Sequence, residues 1–431
     1  MNIPRITEAM EYIDERYILS ADENNPTAAK RSWIKYAVIA ACFTVCVALA
    51  AFGYTLFDSN DYLPDYDVDP SYMLPEVMLA SYDDNYFGII RSSRGMYLAR
   101  NDGSGPVPLC QKDGCDHTDI DCDARLWWGF TGISAYDGRV YWASTQMDRQ
   151  QDSILINSCA LDGSDLRTEK EIPWERASLY SHDFIRAHRG YMYFAGGVDG
   201  YSGVRVTAEE LSENGESLVI FEKSYEGKYI NSNIQFYANT IYIMINSFNM
   251  KDDFHTNNPF HMEYYQTYNE EFEVYEYDIR TGKTKQICYL NRELIDVFID
   301  AEGNIYHLED NPENGFKALW KLSTNTKKDE MLYDFSEEDP DYKYFNVVNG
   351  YVVATMADSD DICVKDFDGN TTILSIKPAK DALLEEYDYF VRAFIGNDGK
   401  NLFFYCNDQE TIAAVPLDGS DAYILIADTV L

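Results

Sequence analysis

An all-β fold, a seven-bladed β-propeller built from four-stranded sheets, is what this chain of 431 residues predicts. Three observations predict it: a repeat with a mean period near 50 residues, Gly-, Asp- and Asn-containing turns at fixed places within each repeat, and no helical pattern of ten or more residues from about residue 77 onward. One half of the repeat is an apolar strand, a tight turn and an aromatic-rich strand. It reads VMLASYDDNYFGII, TGISAYDGRVYWAS, FIRAHRGYMYFAG, IQFYANTIYIMI, VFIDAEGNIYHL, FNVVNGYVVATM and AFIGNDGKNLFFY. The other half is a strand, a DG-type turn and a shorter strand, as in MYLARNDGSGPVPL, INSCALDGSDLRTEKEI, VYEYDIRTGKTKQI, ICVKDFDGNTTIL and IAAVPLDGSDAYILI.

Each half is a β-hairpin. Asn-Gly and Asp-Gly supply the positive φ values that tight turns need, and alternating Val, Ile, Tyr and Phe suit strands with one buried face. Every unit holds its four strands in chain order, so no N-terminal strand is required to complete the last blade. The versions around 205–221 and 316–334 are degenerate, and six or eight blades bracket the count of seven.

Four regions are expected: a cytoplasmic helix and basic flank over 1–32, a transmembrane helix over 33–57, an acidic tether over 58–76 and the extracellular propeller over 77–431. Residues 36–57 (YAVIAACFTVCVALAAFGYTLF) carry no charge over 22 positions. A helix rising about 1.5 Å per residue crosses the roughly 30 Å hydrocarbon core in that length. The run is too long and starts too late for a cleaved signal peptide. Lys30, Arg31 and Lys35 precede it and Asp58, Asp61, Asp65, Asp67 and Asp69 follow, which places the N-terminus in the cytoplasm and the C-terminal part outside the cell membrane, single-pass. Ile6, Met10, Ile13 and Tyr17 form one helical stripe, suited to a partner's groove or to the membrane surface. The alternating aspartates of the tether lack the glycine and glutamate of a calcium loop.

Charge narrows the partners. Against 35 Lys and Arg stand 73 Asp and Glu, a formal net charge of −38, which repels nucleic acid and anionic lipid. A content of 46% hydrophobic and 15% aromatic residues supports a large core. Cys159, Cys288, Cys363 and Cys406 each sit alone in a strand-like run, where a thiol behaves as a small buried hydrophobe. His182, His188 and His307 also lie in strand-like runs, as hydrogen-bonded core groups.

The most distinctive local feature is LCQKDGCDHTDIDCDA, with Cys110, Cys115, His117 and Cys122 spaced C-x4-C-x-H-x4-C. Three thiolates and an imidazole are a tetrahedral set for a structural zinc ion. The same three cysteines also permit one disulfide with a spare thiol, or a plain loop. Trp127 and Trp128 follow; on a strand their rings face opposite ways, one to the core and one outward as a stacking platform, unless both pack between blades. The fourth unit carries the longest insertion, near 248–270, with Phe254, His255, Phe260, His261, Tyr264 and Tyr265. Such a loop on a rigid scaffold either contacts a ligand, a glycan, peptide or protein, or packs on its neighbours. No G-x-S-x-G elbow, H-E-x-x-H or Gly-rich phosphate loop is present, so no catalytic residue is assigned.

Through turns such as AYDGRVYW, ALDGSD and PLDGSD, residues 77–431 resemble membrane-anchored bacterial propellers of the TolB-like and DUF5050-like kind. The start, ITEAMEYIDERYILSA followed by a basic patch and KYAVIAAC, resembles anti-sigma-type membrane proteins of Gram-positive anaerobes, although no zinc-binding anti-sigma signature occurs within 1–32. The expectation is a non-enzymatic surface module for binding or sensing. The alternatives are a transmembrane regulator with a cytoplasmic partner, implied by the second resemblance, and an extracellular glycan hydrolase, which would need paired carboxylates at the channel mouth.

Overall fold

In the computed structural model the described residues form 28 strands in seven four-stranded antiparallel sheets, each in plain chain order. The blades span residues 78–108, 133–173, 184–224, 228–290, 296–334, 344–375 and 393–427. The structure describes residues 78–427 apart from 83–84, 91–94, 101–105, 116–121, 123, 125–131, 146–152, 174–183, 199–202, 213–214, 226–227, 250–270, 293, 312–314, 336–341, 343, 349, 357–358, 383–392 and 407–410. First strands of neighbouring blades pack on one another, Met78–Tyr82 on Ile133–Tyr136, Ile133–Tyr136 on Phe184–His188, and Asp296–Ile299 on Tyr344–Val348. First strands therefore form the inner wall and fourth strands the rim of a seven-bladed β-propeller, and each blade is complete from its own four consecutive strands, as the repeat predicts.

Apolar clusters bridge the blades around the ring. Phe87 and Met96 meet Trp142 and Cys159 between blades 1 and 2. Ile154 and Phe194 belong to the next interface, and Val206 and Ile243 to the one after. A larger cluster runs through blades 4, 5 and 6, with Phe272, Leu308 and Val352, and another joins 6 to 7 through Val353 and Phe404. The ring closes where Leu79, Tyr86 and Tyr97 of blade 1 meet Phe403, Ile412 and Ile426 of blade 7. Gly88 gives room here: a Cβ on it would press on Cδ1 of Ile426 and lie 3.2 Å from Cδ1 of Ile412, so the ends of two fully buried isoleucines would have to shift to admit it. The Tyr86 hydroxyl donates to Asp398 Oδ2 at 2.7 Å and accepts from Asn401 Nδ2 at 3.3 Å. Among the described residues, these side-chain contacts close the circle.

An inner strand pairs along one edge only, and its other backbone groups need partners. Neighbouring blades supply them. Ser134 Oγ accepts the Ala187 N–H at 3.0 Å, Gln235 Oε1 accepts the Ile299 N–H at 2.9 Å and Asp296 Oδ2 accepts the Val347 N–H at 2.7 Å. His188 Nε2 lies 2.7 Å from Ala238 O. Its ring packs among Tyr136, Tyr193 and Phe236, and burial holds it neutral, its pKa lowered to about 3. His188 and His307 are thus core groups, as their strand context suggests, while His182 lies outside the described residues.

The tight turns use the predicted chemistry, with one addition. At Asp137 and Gly138 both φ values are positive, 48° and 73°, the pattern of a two-residue hairpin turn. The DAEGN and DFDGN turns are longer: Asp300 Oδ1 accepts the N–H groups of Glu302 and Asn304, and Asp366 Oδ1 those of Asp368 and Asn370. The hydrogen bonds from Asn370 hold the Asp366 carboxyl below its ordinary range, and those from Ser164 and Ser420 do the same for Asp162 and Asp418. The two degenerate units are full hairpins (Gly203–Glu210 with Ser217–Ser224, Lys317–Ser323 with Lys328–Asp334). In the second, Lys327 adopts a φ of 56° without glycine, which hid the turn from the DG pattern.

Between the third and fourth strands a β-bulge recurs in blades 2, 3, 4, 5 and 7. Bulges add twist at the rim, and the charged fourth strands RTEKEIP, KTKQICYL and KDEMLYD discourage edge pairing with other chains. Cys159, Cys288, Cys363 and Cys406 are buried as expected. Among the described residues no helix is long and apolar enough to cross a membrane; the span expected over 33–57, and the segments before and after it to residue 76, lie outside them.

Two outcomes follow for stability. Gly88→Ala forces a methyl into the closing interface and should lower unfolding free energy by about 1–3 kcal/mol in urea titration. Burial pushes the Asp296 carboxyl up to about 7, against the two N–H groups and the Asn346 side chain that favour its charge. An unfolded aspartate titrates near 3.9, so folding takes up a proton at Asp296 between about pH 4 and 7. Its contribution is complete below that window and is lost as pH rises through 7. Asp296→Asn should flatten the fall in stability across that range, measured by denaturation at fixed pH values.

Candidate metal centre

Strand direction decides which connections share a face. In a four-stranded meander the first-to-second and third-to-fourth turns leave one side of the ring, and the second-to-third and blade-to-blade connections leave the other. Turns of the first kind are short, with none above six residues. From the opposite ends of the strands leave the connections 109–132, 250–270 and 376–392, the last containing the short helix Lys377–Ala382. The connections 109–132 and 250–270 therefore leave their blades at the same end, and the start of the first packs on the 161–166 turn of blade 2, a short turn, through Gln111 and Asp162.

The cysteine segment begins at an unusual rim. Blade 1 has a fourth strand of only two residues, Val107–Pro108, and the proline cannot extend the ladder. Leu109 N–H donates to Met96 O at 2.9 Å, and Met96 N–H donates to Ala124 O at 2.7 Å. One residue of blade 1 thus holds both ends of the segment. Between them Cys110 N–H donates to Pro108 O at 2.8 Å and Cys115 N–H to Lys112 O at 3.2 Å. The turn that returns the chain to Cys115 passes through Gly114 at φ 70°, which favours glycine. Gln111 Nε2 donates to Asp162 O at 2.5 Å, tying the segment to blade 2.

These constraints bring Cys110, Cys115 and Cys122 together as thiols, their Sγ atoms all within 4.8 Å of one another. Cys122 is buried and the other two are half-buried against the cluster between blades 1 and 2. Burial pushes the Cys122 thiol up to about 12; a hydrogen bond from the Ala124 backbone opposes this, and hydrogen bonds with Cys115 and Cys110 add to it. A set of soft sulfur ligands converging from one short loop is chemically suited to a thiophilic cation. His117, expected as the fourth ligand, lies outside the described residues, as do Trp127, Trp128, Phe254, His255, Phe260, His261, Tyr264 and Tyr265.

Polar groups that sequence reading did not single out lie between blades. Lys223 Nζ reaches the buried Glu273 Oε2 at 2.5 Å and the Tyr275 hydroxyl at 2.8 Å, while Gln286 Nε2 donates to the same carboxylate at 3.2 Å. Lys170 Nζ sits 2.8 Å from the buried Glu209 Oε2. Arg292, in the connection from blade 4, places its Nε 3.1 Å from Glu309 Oε2 of blade 5, and within blade 5 His307 Nε2 lies 3.2 Å from Asp329 Oδ1. Lys223 and Glu273 stand 50 residues apart, close to one repeat, and that spacing is the only trace such a pair leaves in sequence. Each acid is matched by a cation, which makes these structural ties.

No family model matches the chain and no curated protein matches it. Solved structures similar to it include a prolyl endopeptidase (12% identity, covering 90% of this chain and 54% of that one, TM-score 0.49). An oligogalacturonate lyase in complex with manganese is similar over 80% of this chain and 86% of its own, at 9% identity and TM-score 0.42. TolB from Acinetobacter baumannii is similar over 80% of each chain, at 12% identity and TM-score 0.35. The chain spans about half the length of the prolyl endopeptidase and 35% of the tricorn protease. No activity is carried over from likenesses of this order, and the seven-bladed assignment stands on strand pairing.

The Lys223 tie has a measurable consequence. Lys223→Met leaves the Glu273 carboxylate without its cation and should destabilise the chain by about 2 kcal/mol. The double variant Lys223→Met, Glu273→Leu should recover most of that loss, by urea denaturation.

Proposed function

We propose that this chain is a non-enzymatic binding or sensing module, displayed outside the cell on a single-pass membrane anchor, which takes its ligand at the face carrying the long connections. The supporting observation is the asymmetry of the ring: turns of six residues or fewer on one side, and connections as long as 250–270 on the other. A rigid scaffold with long segments gathered on one face is the arrangement in which binding surfaces vary independently of the fold. The histidines at 188 and 307 are enclosed in the blades and the acids of the inter-blade clusters are engaged by lysine and arginine, which supports a binding role over general acid–base chemistry. The aromatic content of 250–270 suits a glycan, peptide or protein ligand, and the charge of −38 disfavours nucleic acid.

The test is an array of glycans and peptides probed with the full chain and with a variant in which residues 250–270 are replaced by a short Asn-Gly turn. Blade 4 retains its register in the variant, since Ser247 pairs with Glu271. A hit weakened at least about tenfold (1.4 kcal/mol) by the replacement supports the proposal. A hit that the replacement leaves unchanged, or turnover of an arrayed glycan, overturns it.

A further inference from the structure

We propose that Cys110, Cys115 and Cys122 hold one ion of the zinc class through three thiolates, and that this ion braces the shortened rim of blade 1 at its junction with blade 2. The inference is independent of the ligand-binding role above. It starts from a deficit: the fourth strand of blade 1 has two residues, whereas those of the other blades have five to eight. Most of the hydrogen-bonded ladder that anchors a rim is missing there. The chain places the cysteine segment at that point, pinned at both ends by Met96 and reaching the Asp162 carbonyl of blade 2 through Gln111.

The geometry fits an ion closely. Three sulfurs each 2.3 Å from a tetrahedral centre stand about 3.8 Å from one another. The observed upper limit of 4.8 Å needs inward movement of about 1 Å, within the reach of side-chain torsions. A disulfide would join two of the sulfurs and leave the third, although all three lie within 4.8 Å of one another. Soft thiolates select zinc-class ions over calcium or magnesium, which prefer oxygen. On binding, each thiol gives its proton to solvent as its sulfur bonds the metal, and no electron is transferred. Three sulfurs leave one position of a tetrahedral ion to a further ligand.

The experiment uses the full chain, purified under reducing conditions, with elemental analysis for zinc and titration with cobalt(II). One zinc per chain is expected, together with an intense thiolate-to-cobalt charge-transfer band that saturates at one equivalent and is bleached by zinc. Cys115→Ser should lose stoichiometric zinc and weaken the band, and Cys363→Ala, in blade 6, should retain both. The titration of the unaltered chain decides the matter even where a cysteine variant fails to fold. Absence of a saturable cobalt band overturns the proposal. So does zinc retained by the triple variant Cys110→Ser, Cys115→Ser, Cys122→Ser, or a disulfide among the three mapped by alkylation and mass spectrometry. A chain that takes copper(I) but neither zinc nor cobalt overturns the zinc-class assignment.

Discussion

The inner wall of the ring sets the terms for the rest of the molecule. A strand there can pair with only one neighbour in its own sheet, so the backbone groups along its other edge must find partners across a blade boundary. Ser134, Gln235 and Asp296 accept N–H groups from the next inner strand, and His188 engages the Ala238 carbonyl. These bonds are local and directional, and they fix the angle at which one blade meets the next. Apolar clusters then fill each wedge. The last of these angles must return the chain to its start, and blade 7 meets blade 1 without a shared strand. The bare Cα of Gly88, the buried isoleucines 412 and 426 and the bond from Tyr86 to Asp398 carry that closure.

The strongly acidic composition takes on a different meaning in this setting. Part of it is turn chemistry: Asp162, Asp366, Asp398 and Asp418 each accept backbone N–H groups that a tight turn would otherwise leave exposed. Another part is internal. Glu209, Glu273 and Glu309 are buried and face Lys170, Lys223 and Arg292. Burying a carboxylate is costly unless a cation and further donors accompany it, and here the partner comes mainly from the adjacent blade. Carboxylates at such positions therefore act as fasteners, and the remainder give the rim its charge and its resistance to edge pairing.

An even number of strands per blade has a consequence for function. Every blade begins and ends on the same side, so inter-blade connections and second-to-third loops collect on one face. Hairpin geometry keeps the opposite face short, because turn length there is tied to strand register. Growth of the chain by insertion is accommodated on the first face alone. The connection between blades 1 and 2 and the insertion of blade 4 both leave their strands on that side.

The blade count, the strand order within each blade and the burial of Cys159, Cys288, Cys363, Cys406, His188 and His307 were legible in the sequence. They depend on local patterns, turn residues with positive φ and alternation along a strand, that recur with the repeat. One of the two faint units was faint because Lys327, at a φ of 56°, does the work of a turn glycine. The cysteine spacing was legible as a set of soft ligands, but several pairings stayed open, since spacing alone does not say which sulfurs meet. Tertiary structure decided that. Met96 grips Leu109 and Ala124, residues 13 and 28 positions away in the chain, and so folds the segment until its three sulfurs converge. The inter-blade acceptors, the place of Gly88 and the face shared by the long connections likewise depend on which residues neighbouring blades present to one another, and a single sequence does not encode that adjacency in any local pattern.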